Sequence, residues 1–279
     1  MFKTLELELR SRAFSPKTAK AYVYFNQKFL EFIKKKPQQV SQSDIKAYLA
    51  YLDSKHSKAA TLNLALQSLK FYYCNILGRR FMNLKQVRKD KHIPTVLTKQ
   101  EVAFMIANTK NVKHRLLIKF LYGSGLRVSE CIKLKVNDID ISQRIGIVRQ
   151  GKGRKDRFFL LSPILINDLN KHLRLRIGDN RYIFNSGQSH ISIRTAQMVV
   201  KQAAKRANIK KRVFCHALRS SFATHLIESG TGIENIQRLL GHENIKTTQG
   251  YIKFLPKHLK GIKSPLDNLS ISKKPLLTT

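Results

Sequence analysis

The sequence predicts a mainly α protein with a small β-sheet, divided into a helical N-terminal domain and a mixed α+β second domain. Three observations carry that expectation. The first 80-odd residues repeat capped stripes of apolar residues at helical spacing. A charged segment between Gln86 and Thr98 then loses that periodicity. Beyond it, one hairpin pattern stands among further helical stretches.

In "SPKTAKAYVYFNQKFLEFIKKKP", Ser15 is placed to cap a helix with Pro16 at its first position. Ala21, Phe25, Phe29 and Phe32 supply the apolar stripe, and Pro37 stops it. "VSQSDIKAYLAYLDSK" starts behind another serine, and "KAATLNLALQSLKFYYCNILGRR" gives a longer helix ending near Gly78. Residues 1–86 therefore read as a lysine-studded helical bundle. Residues 87–97, with Pro94, read as a linker. Thr98 is the expected cap of "KQEVAFMIANT". "HRLLIKFLYGSG" is broken by Gly123 and Gly125, and "LRVSECIKL" opens the next helix. "RIGIVRQ", the turn "GKGRK" and "DRFFLLS" resemble a β-hairpin. Helices resume after it, so the second domain spans 98–255, and residues 256–279 form a basic, poorly patterned tail.

Composition narrows the partner. Lys and Arg number 53 against 17 Asp and Glu, a formal charge of +36 and a pI near 10.4. A compact state so charged repels itself unless a polyanion is present, and nucleic acid is the obvious one. No segment approaches the roughly 18 apolar residues of a membrane span, and the N-terminus lacks a signal-peptide core. A cytoplasmic protein without a membrane partner is expected. Cys74, Cys131 and Cys215 are odd in number and widely spaced among apolar neighbours, as reduced buried thiols are. No paired-cysteine zinc pattern occurs, and neither a metal nor a cofactor is expected.

Several polar residues sit where chemistry could use them. Arg127 follows Gly-Ser-Gly and opens a helix, where backbone N–H groups already favour an anion; Glu130, one turn on, can orient it. Lys152 lies between two glycines in the hairpin turn, with Lys155 and Arg157 close behind. In "HALRSSFATHLIESG", His216 and Arg219 are one helical turn apart and share a face, while Leu218, Phe222 and Leu226 anchor the helix. His225 reads as a structural histidine. In "IQRLLGHENIKTTQGYIKF", Ile233, Ile236, Leu239 and Leu240 form an apolar stripe and Gly241 stops the helix. His242 emerges there, and Tyr251 comes nine residues later. Singly, each has a plainer explanation: a surface ion pair, a solvent-exposed hairpin, a core histidine, a core tyrosine.

Together, two arginines, a lysine, two histidines and a tyrosine, running Arg127, Lys152, His216, Arg219, His242 and Tyr251 along the chain, resemble the tyrosine recombinase (phage integrase-like) family. "GLRVSE", "GKGRKDR", "HALRSSFATHL" and "LLGHENIKTTQGY" carry the resemblance. The lysine-rich first domain resembles the family's helical core-binding (SAM-like) domain, ahead of an α+β tyrosine recombinase catalytic domain. Size makes the chain most similar to Xer-type recombinases. The resemblance implies Tyr251 as nucleophile, with Arg127, Lys152, His216, Arg219 and His242 completing the catalytic set and Glu130 in support. It also implies metal-independent breakage and rejoining of DNA strands through a 3′-phosphotyrosine, on double-stranded DNA with inverted half-sites. The expected assembly is a homo-tetramer on paired sites, a monomer or dimer off DNA, compatible with an accessory protein. Resolution of chromosome or plasmid dimers is the expected role; integration or excision of a mobile element is the alternative. The tail resembles a segment that related recombinases pass to a neighbouring protomer. One departure is Gly250, directly before Tyr251, where the family commonly has a bulkier residue; glycine costs about 1 kcal/mol of helix stability.

Expected DNA contacts are Lys17, Lys20 and Lys28 on the first helix, Lys155 and Arg157 beside Lys152, and Arg194 at the start of "RTAQMVVKQAAKRA". The two domains could close around duplex DNA as a clamp. Three rival readings stand beside this one. A type IB topoisomerase shares the tyrosine chemistry. A basic DNA-binding protein without catalysis has no use for the tyrosine, and a metal-dependent nuclease would have to use Asp138 and Asp140.

Overall fold

A computed structural model describes residues 2–79, 84–88, 94–149, 156–175, 178, 180–241 and 262–270. The chain separates into two compact units, residues 1–92 and 93–279, each around its own hydrophobic core.

The first unit packs α1 (Lys3–Ser11), α2 (Pro16–Ile33), α3 (Gln42–Ser54) and α4 (Ala59–Lys70). The expected caps form: Ser15 Oγ accepts from the Thr18 amide, and Ser41 and Asp44 satisfy each other's backbone reciprocally. Helix α4 runs into a π-helical turn, Phe71–Ile76, that turns Tyr72 and Tyr73 into the core. Phe29 is fully buried, with ring centroids 5.3 Å from Tyr48 and 5.9 Å from Tyr73. Phe32 departs from the expected stripe. It is exposed and stacks on Tyr51 at 4.8 Å, while Leu30 and Ile33 beside it pack against the core; α2 ends at Ile33, with Lys34 in a left-handed conformation, before Pro37 is reached. Asn63 exchanges two hydrogen bonds with the Val87 backbone, holding the start of the linker to this unit.

The second unit begins at Thr98, which caps α5 (Lys99–Ala107) in a box with Glu101. Helix α6 (Val112–Gly123) is its central strut, with Leu116 to Gly123 buried. Helix α7 (Val128–Ile132) leads to an antiparallel sheet of β1 (Ile139–Asp140), β2 (Ile145–Val148) and β3 (Arg157–Leu160), in that spatial order. Strands β2 and β3 are the predicted hairpin, registered Ile145↔Leu160 to Val148↔Arg157. The sequence reading missed β1, since two residues carry no readable alternation. Helix α8 (Pro163–Arg174), a small hairpin of β4 (Asn185–Ser186) and β5 (Ser189–His190), and α9 (Ile193–Arg206) follow. Helix α10 (Cys215–Glu228) then packs on α6, with Leu218, Phe222 and Leu226 fully buried. Helix α11 (Ile233–Leu240) ends at Gly241 with φ +61°, the left-handed stop the sequence implied. Ile233, expected in its apolar stripe, is 63% exposed at the first turn.

Part of the expected unpatterned tail docks on its own unit. Ser264 Oγ donates to the Gly123 carbonyl at 2.6 Å, and Leu266 is fully buried. No helix among the described residues is long and apolar enough to cross a membrane.

Candidate active site

The site is built where the chain turns sharply between α6 and α7. Gly125 has φ +59°, and a Cβ there would lie 2.4 Å from the Phe222 ring, so only glycine lets this turn lie against α10. Arg127 then caps α7 in an extended conformation, and Glu130 reaches back to it. Glu130 Oε2 accepts from the Arg127 amide at 2.9 Å, and Oε1 accepts from Arg127 Nη1 at 2.8 Å. Arg157, from β3, donates Nη2 to Glu130 Oε2 at 2.6 Å. Arg219 Nη1, from α10, stands 3.9 Å from the same oxygen. Three guanidiniums from three separate elements thus surround one buried carboxylate.

Burial alone would raise the Glu130 pKa; the charges of Arg157 and Arg127 and the Arg127 hydrogen bonds outweigh it and hold the group below its ordinary value. Glu130 therefore stays ionised. Burial, then the charges of Arg127 and Arg157, press the Arg219 pKa downward, and Glu130 opposes them. A guanidinium remains protonated at neutral pH all the same. His216 is surface-exposed on α10, and its pKa is lowered by partial burial and then by Arg219 and Arg127. It is neutral at pH 7, able to accept a proton.

The orientation of the arginines differs from the sequence expectation. Arg219 is only 3% exposed, and it donates Nη1 to the Gly125 carbonyl and Nη2 to the Leu240 carbonyl, both at 2.5 Å. His216 and Arg219 therefore do not present equal reach to one surface. Arg157, expected as a DNA contact, is a correction. Its side chain is 10% exposed and its fork is occupied by Glu130 and by the Leu239 carbonyl at 2.6 Å. Nothing in "KDRFFLLS" marks this inward turn, because its partners lie far away in sequence.

Lys152, Lys155, His242 and Tyr251 lie outside the described residues. Lys17, Lys20 and Lys28 are exposed on α2, with Lys28 paired to Glu31 at 2.7 Å. Arg194 is exposed in the first turn of α9. Asp138 and Asp140 are spent on structure. Asp138 accepts from Arg149 Nε at 2.8 Å and from the Lys135 amide, and Asp140 from Ser142 and the Gln143 amide in the turn. His225, buried, shares a 2.8 Å hydrogen bond with the Tyr122 hydroxyl. Cys131 and Cys215 are buried thiols whose pKa burial pushes up, so they are poor nucleophiles.

A cluster of guanidiniums with a neutral imidazole beside it suits an anionic oxygen that gains charge during reaction, such as a phosphate in transfer. Comparison with known proteins agrees with that chemistry. The chain belongs to the phage integrase family, whose sequence pattern matches residues 95–258, while the SAM-like N-terminal domain of phage integrases matches residues 1–82. Within that family it is a tyrosine recombinase, an enzyme of site-specific recombination. Tyrosine recombinase XerA of Pyrococcus horikoshii is 36% identical over 261 residues, covering 92% of this chain and 88% of XerA. An integrase/recombinase of Escherichia coli is 30% identical over 95% of this chain and 92% of its own length. A crystal structure of XerA recombinase superposes with a TM-score of 0.51 at 30% identity, covering 86% of this chain and 88% of that one. The recombinase XerH bound to its difH substrate shares the fold, with a TM-score of 0.64 at 24% identity, over 81% of this chain and 72% of that one.

Proposed function

We propose that Arg127, Lys152, His216, Arg219, His242 and Tyr251 form the active site with which this enzyme cuts and rejoins duplex DNA at inverted half-sites. One observation supports the reading most: the Arg127 and Arg219 guanidiniums gather around an ionised Glu130, beside a His216 whose pKa is lowered by partial burial and then by their charge.

Tyr251 Oη attacks the scissile phosphorus, and the bond from phosphorus to the 5′ oxygen breaks, leaving the 3′ end esterified to tyrosine. His216 takes the phenolic proton, and Lys152 protonates the departing 5′ oxygen. Free tyrosine ionises near pH 10, so the surrounding cations favour the phenolate. Arg127 and Arg219 neutralise the non-bridging oxygens, Arg219 from a desolvated position where a charge is felt strongly. His242 hydrogen-bonds the phosphate. In the second step the 5′ hydroxyl of a partner strand attacks the phosphotyrosine and releases Tyr251. The phosphoester energy is kept throughout, so rejoining needs no other energy source.

Lys17, Lys20, Lys28, Lys155 and Arg194 supply phosphate contacts, which makes binding steeply salt-dependent. Residues 1–86 act as the core-binding domain and 98–255 as the catalytic domain, in a tetramer on paired sites. Resolution of chromosome or plasmid dimers in the cytoplasm is the role; a mobile element's integrase would use the same chemistry on other DNA.

The test is covalent trapping. Wild type and Tyr251→Phe are mixed with sheared genomic DNA of the source organism in the presence of a chelator, quenched with detergent, and the retained DNA is sequenced. Wild type alone should retain a discrete sequence with inverted repeats. Binding without Tyr251-dependent retention would leave a DNA-binding protein instead.

A further inference from the structure

The last carbonyls of an α-helix have no partner within the helix, and they carry the negative end of its dipole. In α11 those groups meet two guanidiniums. Arg219 takes the Leu240 carbonyl and Arg157 takes the Leu239 carbonyl. The other arm of Arg157 holds Glu130 Oε2, the oxygen that also accepts from the Arg127 amide. Its stem lies against the helix stop: a Cβ on Gly241 would come within 2.6 Å of Arg157 Cδ.

This burial is costly. The Arg157 pKa is pushed down by desolvation, against the pull of Glu130, and its Nε has no hydrogen-bond partner among the described residues. An apolar side chain would stabilise such a site as well or better, so the arginine calls for a reason beyond stability.

We propose that Arg157 is a positioning residue for strand cleavage. Its fork ties the end of α11, and so the point from which the chain continues to His242, to the carboxylate that orients Arg127. The inference rests on the recombinase reading above. Lysine cannot replace the fork: it offers one nitrogen instead of two, on a stem that ends nearer the backbone.

The experiment uses the full chain as wild type, Arg157→Lys, Gly241→Ala, the double variant and Tyr251→Phe, with sheared genomic DNA of the source organism as probe. Total DNA bound at low salt, the rate of detergent-resistant adduct formation and thermal melting are read in parallel. Arg157→Lys should bind DNA as tightly as wild type and melt cooperatively, while its adduct forms roughly 100-fold more slowly, as expected when reacting groups are displaced by about 1 Å. Gly241→Ala should slow the same step. The double variant should be no slower than the slower single, since both disturb one contact.

A wild-type adduct rate in Arg157→Lys, or effects that multiply in the double variant, would overturn the inference alone. If Arg157→Lys does not fold, Gly241→Ala decides: a slowed adduct with normal melting supports the inference, and a wild-type rate removes it. No Tyr251-dependent adduct from wild type overturns the recombinase reading and this inference with it.

Discussion

The two units bury different things. Among the described residues, the first unit's buried polar groups are Asn26, Asn63 and Ser68, all neutral, and its core is aliphatic and aromatic. The second unit buries Lys119, Glu130, Asp138, Arg219 and two histidines. Removing a charge from water costs several kcal/mol even when it is paired. A fold bears that cost where a charge must act from a fixed, dry position. Among the described residues, buried charge is thus confined to the second unit, the unit that holds Arg127, His216 and Arg219 of the proposed site.

Two core deletions of similar size probe the contrast most strongly. Glu130→Ala leaves three guanidiniums without their counter-ion and should destabilise the second unit by about 3–5 kcal/mol. Phe29→Ala opens a cavity in the first core, at a similar cost of about 3–5 kcal/mol. Urea melts followed by hydrogen exchange should assign each loss to its own unit. Only the Glu130 loss should depend on salt.

A single hydrogen bond tests the same idea at smaller scale. Tyr122→Phe leaves the buried His225 ring nitrogen unpaired and should cost about 1–3 kcal/mol, read as a lower urea midpoint.

Acid should separate the units next. Burial lowers the folded pKa of His225, so the unfolded chain, whose histidines titrate near pH 6.5, takes up protons first. The second unit should hold its full stability above about pH 6.5 and lose it as pH falls from there toward the folded value. Glu130, also lowered, adds a second loss as pH falls below about 4.3, the value of an unfolded glutamate. The first unit buries no histidine among its described residues, so hydrogen exchange in α2 should stay flat while α10 loosens between pH 7 and 5.5. Equal loosening of both would remove the distinction.

The smallest effect is expected at the surface. Lys17→Ala and Lys20→Ala should each change stability by less than about 0.5 kcal/mol. Each should lower the slope of log binding against log salt by about 1 if it touches a phosphate. An unchanged slope would take that lysine off the DNA.

Short-range signals in the sequence proved reliable for physical reasons. Ser15, Ser41, Thr98 and Gly241 end helices through hydrogen bonds and dihedrals that span at most a few residues, so the pattern and the structure agree there. Of the polar residues singled out in the sequence, Arg127, Glu130, His216 and Arg219 are brought together by the fold. Where the reading failed, the deciding contact was distant. Phe32 and Ile233 fit apolar stripes, yet Ile233 stays largely exposed and Phe32 is covered on one side only, by Tyr48 and Tyr51 of α3. Strand β1 exists only because β2 pairs with it.

The sequence by itself determined the two-part, mainly helical architecture, the caps at Ser15, Thr98 and Gly241, and the basic charge that calls for a polyanion. Only the tertiary structure decided which way the arginines face. Arg157 and Arg219 turn inward because Glu130 and the last carbonyls of α11 converge there from elements up to 110 residues apart in the chain, Glu130 to Leu240. No local pattern encodes that meeting, because the energy of a buried charge depends on partners that the fold alone brings together.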